Sequence, residues 1–512
     1  MAMMHRPCAP RALLLAMLAV LPVPAVAGQW TITPSLMLAE TYTDNVTLAP
    51  PGHAQADFIT QVDPGVFLVG SGPRYHADLN YVMQNLMYAR TSGENRTYNL
   101  LNAQGNAELI PETFFVDANA SVTQQATSLL NSLGMNNTNA TANVTNTRTL
   151  GVSPYLVHDF GGVATGRLRL TEQRSSYSGL GSLNSTSSAG DVLVNSGSDF
   201  VTTYWSANYH KDRIDYSATS QNVTFERYSG TLGHWLTSTF ALEGTVGHEN
   251  NNYVVSGPAP KGGFWSVGAH WVPSRRTNLA VSYGRRFFGK TYSLTFTHQG
   301  PVVLWNVSYG QDLATAQMQQ RFAYAESSAA FLNAALKAQI PNDAQRAQYV
   351  QNYIAQNGLP LELSGAFLLL TDNVFLDKHF LASAGVATAK TTATLAVFSL
   401  KQECQDCLGG AGAIASGDFL TSTNINQYGT SGTWTWQFLP RTSLIGNLEF
   451  ARLEFPDLAR TDNLSVLRIG FSHVISPSMT SGLDFRHQQR NSSTASASYR
   501  ENAITARLYM TF

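Results

Sequence analysis

Apolar and polar residues alternate one by one along much of the chain. From Ile504 to Phe512, every second position is apolar, and the positions between them carry threonine, arginine or tyrosine. Successive side chains of a β-strand point to opposite faces, so this period of two predicts a strand between an apolar and a polar environment. The same alternation recurs at residues 75–84 and 101–109, which predicts an all-β fold.

Short and long connections alternate between the predicted strands. Turns are predicted at residues 71–73, 110–112, 159–162, 210–213, 236–239, 273–276, 299–301, 390–392, 439–441 and 475–478, and longer polar loops at residues 45–56, 91–96, 127–146, 177–198, 251–262, 401–422, 456–462 and 491–498. This rhythm is typical of transmembrane antiparallel up-and-down β-barrels. Counting gives about 22 strands, within a range of about 18 to 22, and an even number places both termini at one end of the barrel.

The composition agrees with a barrel. Only 13% of residues are charged, whereas 44% are apolar and 11% aromatic. Beyond the N-terminal region no apolar run approaches the roughly 18 residues that a membrane helix needs. Apolar lipid-facing positions that alternate with small polar lumen-facing positions produce this average.

Residues 1–27 have the pattern of a signal peptide. Arg6 and Arg11 precede an apolar run at residues 12–20, and Ala25 and Ala27 form a small-x-small cleavage motif, which predicts a mature chain of residues 28–512. Removing the two arginines from 32 basic residues leaves 30 against 33 acidic residues, a formal charge of −3 that gives no indication of nucleic-acid binding. Export together with a last strand ending on Phe512 looks like bacterial outer-membrane barrels, so we expect that location, contact with outer-membrane lipid, and recognition of Phe512 as an insertion signal by the barrel-assembly machinery.

The period changes within residues 311–358, where we predict a helical hairpin. One helix carries a stripe stepping by four and three residues, namely Met318, Phe322, Ala325, Ala329, Leu332 and Leu336. Residues 341–343 end it and cap a second helix, whose apolar face is Ala347, Val350 and Ile354. The insertion is either a plug or lid of the lumen, or a surface excursion in which the stripe only joins the two helices.

Charged residues within the strands fall mainly on the polar face. An arginine facing lipid would cost roughly 2 to 4 kcal/mol at the membrane midplane, so an aqueous lumen explains the placement. We single out a lumen charge patch of Arg468, Asp484, Arg486 and Arg507, with Arg167 and Arg169 as further members. It is either a salt-bridge ladder that stiffens the wall or a site that guides an anionic solute such as an acidic sugar chain.

Aromatic residues concentrate near predicted strand ends. They suit the girdles found at membrane–water boundaries, although platforms that stack on sugars use the same residue types. The set is Trp30, Tyr42, Trp205, Tyr209, Trp235, Trp265, Trp271, Trp305, Tyr309, Trp434 and Trp436.

Two cysteines remain after removal of the signal segment, which contains Cys8. Cys404 and Cys407 form a Cys-x-x-Cys pair in a polar loop. In an exported protein this spacing favours a local disulfide over a zinc site, because zinc requires four ligands and no second Cys or His pair stands nearby. A thioredoxin-like role is less favoured because no βαβ pattern surrounds the pair, and we expect no cofactor.

Linear catalytic motifs are missing from the sequence. There is no Gly-x-Ser-x-Gly, and His248-Glu249 is not followed by the second histidine of a metalloprotease helix. We assign no catalytic residue and expect a protein that is not an enzyme, although a barrel hydrolase could build its site from neighbouring strands.

Three segments of the N-terminal part resemble a known protein family. ITPSLMLAETYTDNV (residues 32–46), DFITQVDPGVFLVGSGPRYHADLNY (57–81) and LNAQGNAELIPETFFVDANASVTQQ (101–125) resemble the PEP-CTERM system-associated outer-membrane barrel family. That family occurs in bacteria that pair exopolysaccharide production with exosortase sorting. The resemblance implies an outer-membrane barrel linked to polysaccharide or surface-protein export, with export components as partners and no catalytic residues.

Three functional hypotheses follow. The first is a pore or conduit for an exopolysaccharide or another envelope solute, with residues 311–358 as gate or plug. The second is a non-conducting structural or assembly barrel whose outer loops bind a surface polymer or partner. The third is an outer-membrane hydrolase.

Overall fold

The computed structural model describes residues 28–217, 222–253, 259–321, 327–337, 339–357, 359–360, 366–407 and 417–512. The predicted signal peptide, residues 1–27, lies outside them. Twenty-two antiparallel strands form one sheet in which each strand pairs with the next, and β1 pairs with β22 to close the barrel. The strands are β1 (Gln29–Thr43), β2 (Asp57–Gly72), β3 (Tyr75–Tyr88), β4 (Arg96–Ile110), β5 (Phe114–Ala126), β6 (Val144–Asp159), β7 (Ala164–Tyr177), β8 (Ser185–Ser196), β9 (Thr203–Tyr216), β10 (Asn222–Trp235), β11 (Phe240–Asn250), β12 (Lys261–Ser274), β13 (Thr277–Arg286), β14 (Gly289–Gln299), β15 (Val303–Ala314), β16 (Phe375–Ala387), β17 (Thr391–Cys404), β18 (Asn424–Leu439), β19 (Thr442–Phe455), β20 (Arg460–Ser476), β21 (Met479–Ser492) and β22 (Tyr499–Thr511). The predicted fold class and strand number are confirmed.

The two ends of the barrel differ. At the end that holds the start of β1 and the end of β22, connections are short, and we call it the turn end. The opposite end, the loop end, carries most of the long connections, including residues 44–56, 127–143 and 315–374. The rhythm of short and long connections seen in the sequence therefore corresponds to the two ends of one barrel.

Two predicted connections are wrong. Residues 185–196, expected within a polar loop, form β8, and residues 210–213, expected to be a turn, lie inside β9. Ser185 and Ser187 of β8 are buried on the lumen side, whereas Ser188 is exposed. In β9 the side chain of Asp212 points inward, is fully buried and accepts a hydrogen bond from Ser187 at 2.6 Å, while Lys211 and Arg213 point outward. The structure has four strands, β7 to β10, where these two predicted connections left room for three.

Among the described residues between β15 and β16 there are three helices. They are α1 (Ala316–Arg321), α2 (Ser328–Ala335) and α3 (Asp343–Asn357). Strand β15 continues to Ala314, so the helical region starts later than the predicted residue 311. The predicted first helix is also interrupted, because α2 starts anew with Ser327 as its N-cap, and Phe322 and Ala325 of the stripe lie outside the described residues. Asn342 caps α3 by accepting a hydrogen bond from the Gln345 amide at 2.9 Å.

None of the helices in the described part of the chain is long and apolar enough to cross a membrane.

The outward face of the wall is a belt of exposed apolar side chains. Ile32, Leu232 and Val246 are each more than half exposed, as is expected of residues that contact lipid. Eight of the eleven aromatic residues that we singled out belong to the exposed set, and Trp205, Trp235 and Tyr309 are partly buried. Their exposure favours girdles at the lipid boundary over sugar platforms inside the lumen.

Candidate functional site: a plugged lumen

The barrel is too wide for its wall side chains to fill. With strands about 4.8 Å apart and tilted by about 40°, a barrel of this strand number is on the order of 40 Å across. Two segments from the loop end enter this space: the helical region 316–357, which we call the helical plug, and residues 127–143, which we call the loop plug. Their contacts with inward-facing wall residues define the candidate site.

The helical plug touches widely separated parts of the wall. In α1, the side chain of Gln317 hydrogen-bonds to the Gln173 carbonyl of β7 at 3.2 Å and to Ser185 of β8 at 3.1 Å. In α3, Gln348 donates to Thr33 of β1 at 2.9 Å, and Tyr353 donates to Thr392 of β17 at 3.5 Å. The segment therefore crosses the lumen, and its position excludes the surface excursion considered above.

Helix α2 packs closely against the wall. Phe331 is buried and lies over Gly385 of β16, where an added Cβ would stand 1.9 Å from the Phe331 ring. Leu332, Val350 and wall residues such as Phe398 join Phe331 in one apolar cluster. Burying a side chain of this size stabilises the structure by about 1.5 to 3 kcal/mol.

The C-terminal turn of α3 is held by arginines of the wall. Arg507 donates to the Gln356 carbonyl and Arg468 to the Asn357 carbonyl, both at 3.2 Å. The last carbonyls of a helix lack partners within the helix and carry partial negative charge, so arginines are favourable there. Both arginines also pair with Asp484, with 2.7 Å between Arg468 Nη2 and Asp484 Oδ1. We call Arg468, Asp484 and Arg507 the arginine latch.

The other three members of the predicted charge patch have different positions. Arg486 is directly opposite Arg468 in the ladder, but it makes a two-pronged ion pair with Glu501, at 2.8 and 3.2 Å, and its Nη2 lies 3.4 Å from Thr138 Oγ1 of the loop plug. Arg169 stands on the far wall, 2.8 Å from Asp117 and over the Tyr155 ring. Arg167 is its inward-facing neighbour on β7 and is exposed to the lumen. The structure thus brings together Arg468, Asp484 and Arg507 with Arg486 beside them, and separates Arg167 and Arg169 from this group.

The loop plug overturns the prediction of a surface loop at residues 127–146. Leu129 and Leu133 are each 1% exposed. Wall side chains surround the segment: the Tyr499 hydroxyl donates to the Leu133 carbonyl at 2.6 Å, and Tyr88 donates to the Thr138 carbonyl at 3.1 Å. The prediction rested on the polar residues of this segment, which are typical of a loop in solvent. In the lumen, polar side chains of the wall supply the hydrogen bonds that solvent would supply.

A buried arginine and a buried aspartate fix the loop plug. Arg490 is fully buried, donates to the Leu129 carbonyl at 2.7 Å and to the Asn131 carbonyl, and pairs with Asp462. Asp418 accepts hydrogen bonds from the Leu129 amide at 2.7 Å and from the Ser128 hydroxyl. Burial raises the pKa of the Asp418 carboxyl, although these two hydrogen bonds oppose the shift.

Sequence reasoning missed Arg490, Asp418 and Tyr499 as site residues. Arg490 was recognisable in principle, because it shares the period-two inward face of β21 with Asp484 and Arg486. Asp418 lies in a 3₁₀ turn, Gly417–Leu420, of a long polar connection, and no sequence pattern connects it to Leu129.

A cavity of about 710 Å³ remains beside the helical plug at the turn end. Its wall side is formed by β2 to β6 and includes Asp78, Asp117 and the stacked ring of Phe115, and its plug side includes Asp343 and Arg346. The lumen at this end is therefore partly open and polar.

Cys404 and Cys407 are joined by a disulfide, so their sulfurs are not free thiolates for a zinc ion. Between them, Asp406 accepts hydrogen bonds from the Asn373 side chain at 2.8 Å and from the Val374 amide at 3.1 Å. Burial raises the pKa of Asp406 to about 6. The disulfide loop thereby holds the point at which the chain returns from the lumen to β16.

Three threonine–histidine pairs bear on the hydrolase hypothesis. Thr203–His234, Thr277–His298 and Thr442–His473 join a hydroxyl to a ring nitrogen at 2.8, 2.9 and 2.9 Å. Each pair consists of direct cross-strand neighbours in the ladder. In a catalytic triad a carboxylate orients the histidine. Among the described residues no carboxylate forms an ion pair with any of these three histidines, so the pairs lack that third member.

No family model matches the sequence, and no curated protein matches it. Among solved structures, the chain is similar to the FrpB iron transporter from Neisseria meningitidis (F5-1 variant), with a TM-score of 0.45 and 10% identity over 94% of this chain and 82% of that one. It is similar to the siderophore receptor PirA from Pseudomonas aeruginosa, with a TM-score of 0.43 and 9% identity over 94% and 80% of the two chains. For OccK2 from Pseudomonas aeruginosa the TM-score is 0.33, at 8% identity over 94% and 98%. Similarity at this level identifies no ligand and no functional residue of this chain.

Proposed function

We propose that the protein is an outer-membrane conduit that is closed at rest by the helical plug and the loop plug. The observation that carries the proposal is the seating of α3, whose last turn is held in the lumen by the arginine latch. These contacts with the helix end are polar, so we expect their loss to loosen this end of the helix, while Val350 and Ile354 still pack in the apolar cluster. A barrel of this width without its plug leaves a wide aqueous passage.

In this proposal the loop end faces outward and the turn end faces the periplasm. Phe512, which is 74% exposed at the turn end, is then available to the barrel-assembly machinery, and the apolar belt contacts outer-membrane lipid. We assign no catalytic role to any residue.

We further propose that the conduit serves exopolysaccharide or surface-protein export. The resemblance of residues 32–125 to the PEP-CTERM-associated barrels supports this assignment, and polysaccharide-export components are the partners that it implies. The arginine latch has a net charge of +1, because Arg468 and Arg507 share the single carboxylate of Asp484, but both guanidinium groups are also bound to the end of α3. Guidance of an anionic solute by this cluster would therefore require prior release of the plug.

Planar-bilayer recordings test the proposal. The variants are the wild type, a chain in which residues 316–357 are replaced by a Gly-Ser linker, and a chain that also lacks residues 129–141. We expect the wild type to be closed and at least the last variant to show large, long-lived conductance steps. Heat-modifiable gel migration of each variant confirms that the barrel has closed. Absence of conductance in every folded variant would overturn the proposal.

The second candidate is a non-conducting structural barrel, and the loop plug favours it. Side chains of β3, β20, β21 and β22 hold its backbone carbonyls at the loop end, and Leu129 and Leu133 share one apolar cluster with the helices. If the loop plug stays protected in cells that actively export polymer, as measured by cysteine accessibility at Ala140→Cys, a position that is buried in the closed barrel, this candidate replaces the conduit. An outer-membrane hydrolase comes third, and lipid and peptide hydrolysis assays on refolded protein test it.

A further inference from the structure

Two basic side chains face each other on the outer surface of the barrel near the loop end. Arg285 of β13 and Lys290 of β14 are directly opposite in the ladder and both are exposed. They share the outward face with Tyr283 and Tyr292, the next opposed outward pair, which are 39% and 46% exposed. Like charges in directly opposed positions repel each other, so this arrangement is unfavourable on its own.

Another directly opposed basic pair has an acidic partner. Lys378 and Lys401 are also directly opposite, but Glu403 lies between them, at 2.8 Å from the first and 3.1 Å from the second. By contrast, neither Arg285 nor Lys290 forms an ion pair with any residue that the structure describes. Of two opposed basic pairs, one therefore shares a carboxylate of the protein and the other has none.

The position of the Arg285–Lys290 pair fits the headgroup layer of a membrane. Trp265, Tyr283 and Tyr292 form a row of contacting rings beside it, with centroids 5.8 and 5.3 Å apart. Such rings mark the boundary between hydrocarbon and water. Trp265 is directly opposite Arg285 in the ladder, and Tyr283 lies two residues before Arg285 on β13, about 7 Å away along the strand. Only Phe287 and Phe288 connect β13 to β14, so no long loop of that hairpin covers the pair.

We propose that Arg285 and Lys290 bind the phosphate of a lipid headgroup in the outer leaflet. A guanidinium offers two parallel donors to phosphate oxygens and an ammonium offers a compact charge, so one phosphate between them removes the repulsion. Tyr292 and Trp265 then contact the sugar or acyl part of the same lipid. This inference rests on the proposed outer-membrane location and is separate from the gating of the lumen.

Native mass spectrometry of the full chain in detergent tests the site. The probes are lipid A with two phosphates, the same lipid after removal of its phosphates, and free pyrophosphate. The variant Arg285→Gln/Lys290→Gln removes the unpaired charges, and Lys378→Gln/Lys401→Gln removes two basic charges from the pair that shares Glu403. Each variant is first checked for heat-modifiable migration, so a failure to form the barrel is distinguished from a failure to bind lipid.

We expect the wild type and Lys378→Gln/Lys401→Gln to retain phosphorylated lipid A equally. Arg285→Gln/Lys290→Gln should bind it on the order of tenfold more weakly, because each basic side chain near a charged surface contributes to attraction. Dephosphorylated lipid should bind all three proteins alike. Equal retention of phosphorylated lipid by all three, or binding of free pyrophosphate as tight as that of the lipid, would overturn the proposal.

Discussion

Arg507 in the last strand donates a hydrogen bond of 3.2 Å to the backbone carbonyl of Gln356, in the last turn of the helix that crosses the lumen. The strand that completes the barrel is therefore also one that holds its plug. Arg468 repeats the contact one residue further along, and Asp484 holds both guanidinium groups in place. Strand β22 thus closes the sheet by pairing with β1, and together with β20 and β21 it holds the helix that crosses the lumen.

Release of the arginine latch should loosen α3 without opening the barrel wall. The variant Arg468→Gln/Asp484→Asn/Arg507→Gln removes all three charges, so no buried carboxylate is left unpaired. Loss of two charge-assisted hydrogen bonds to the helix end predicts a local destabilisation of about 1.5 to 3 kcal/mol, which corresponds to roughly 10- to 100-fold faster amide exchange in residues 350–357. Arg169→Gln/Asp117→Asn on the far wall is the matched control and should leave α3 unchanged.

Loss of Arg490 should release the loop plug. Arg490→Met keeps the apolar volume but leaves the Leu129 and Asn131 carbonyls without their donor, while Arg460 still pairs with Asp462 at 3.0 Å. Removal of one member of a buried ion pair costs about 3 to 5 kcal/mol. We expect protease cleavage within residues 129–133 that the wild type resists. The exposed pair Arg213–Asp215 supplies the control, because Arg213→Met should have almost no effect. Equal resistance of Arg490→Met and the wild type would contradict the account.

Gly385 should be essential for the seating of α2. A side chain at this position meets the buried ring of Phe331, so Gly385→Val should displace the helix at a cost of about 1 to 3 kcal/mol. Hydrogen exchange of residues 328–335 measures the displacement. The second-site change Phe331→Ala should restore protection to part of α2. Gly244→Val is the control, since nothing lies within 4 Å of its added Cβ.

The junction between the helical plug and β16 should be more stable in mild acid. Burial raises the pKa of Asp406 from 3.8 to about 6, so its stabilising contribution is complete below pH 3.8 and is lost as the pH rises through about 6. Protection of the Val374 amide, corrected for intrinsic exchange, should therefore be lower at about pH 7 than at about pH 5. Asp406→Asn should remove the dependence. The same pH dependence in Asp406→Asn would assign it to another group.

The strands of the barrel wall could be predicted because the face to which each side chain points follows from the alternation of neighbouring residues. Outward and inward positions alternate by two, and residues such as Leu508 and Arg507 show their face in the sequence. Where the alternation is weak, prediction failed: the small polar residues of β8 resemble a loop, and the charged end of β9 resembles a turn. Strand β17 carries Leu395, Ala396, Val397 and Phe398 in succession, apolar on both faces, and this was a signal that its inner face is covered as well.

The contents of the lumen could be predicted only in part. The helical period and the Asn342 cap are local features, so helix α3 was recognisable. Its place in the barrel depends on contacts between residues far apart in sequence, such as Gln348 with Thr33. The loop plug was missed because few large apolar residues, namely Leu129, Leu130, Leu133 and Met135, interrupt a polar stretch, and polar loops outside and inside a barrel have the same composition.

The most direct test of the closed-conduit account is single-channel conductance with a plug that can be tethered. Gln348→Cys and Thr33→Cys place thiols on two side chains that are hydrogen-bonded at 2.9 Å in the closed lumen, and a bis-maleimide can join them in a background that lacks the arginine latch and residues 129–141. The account predicts large conductance steps before cross-linking and a return to the closed level afterwards. Conductance that is absent before cross-linking, or unchanged by it, would contradict the claim that the helical plug closes the barrel.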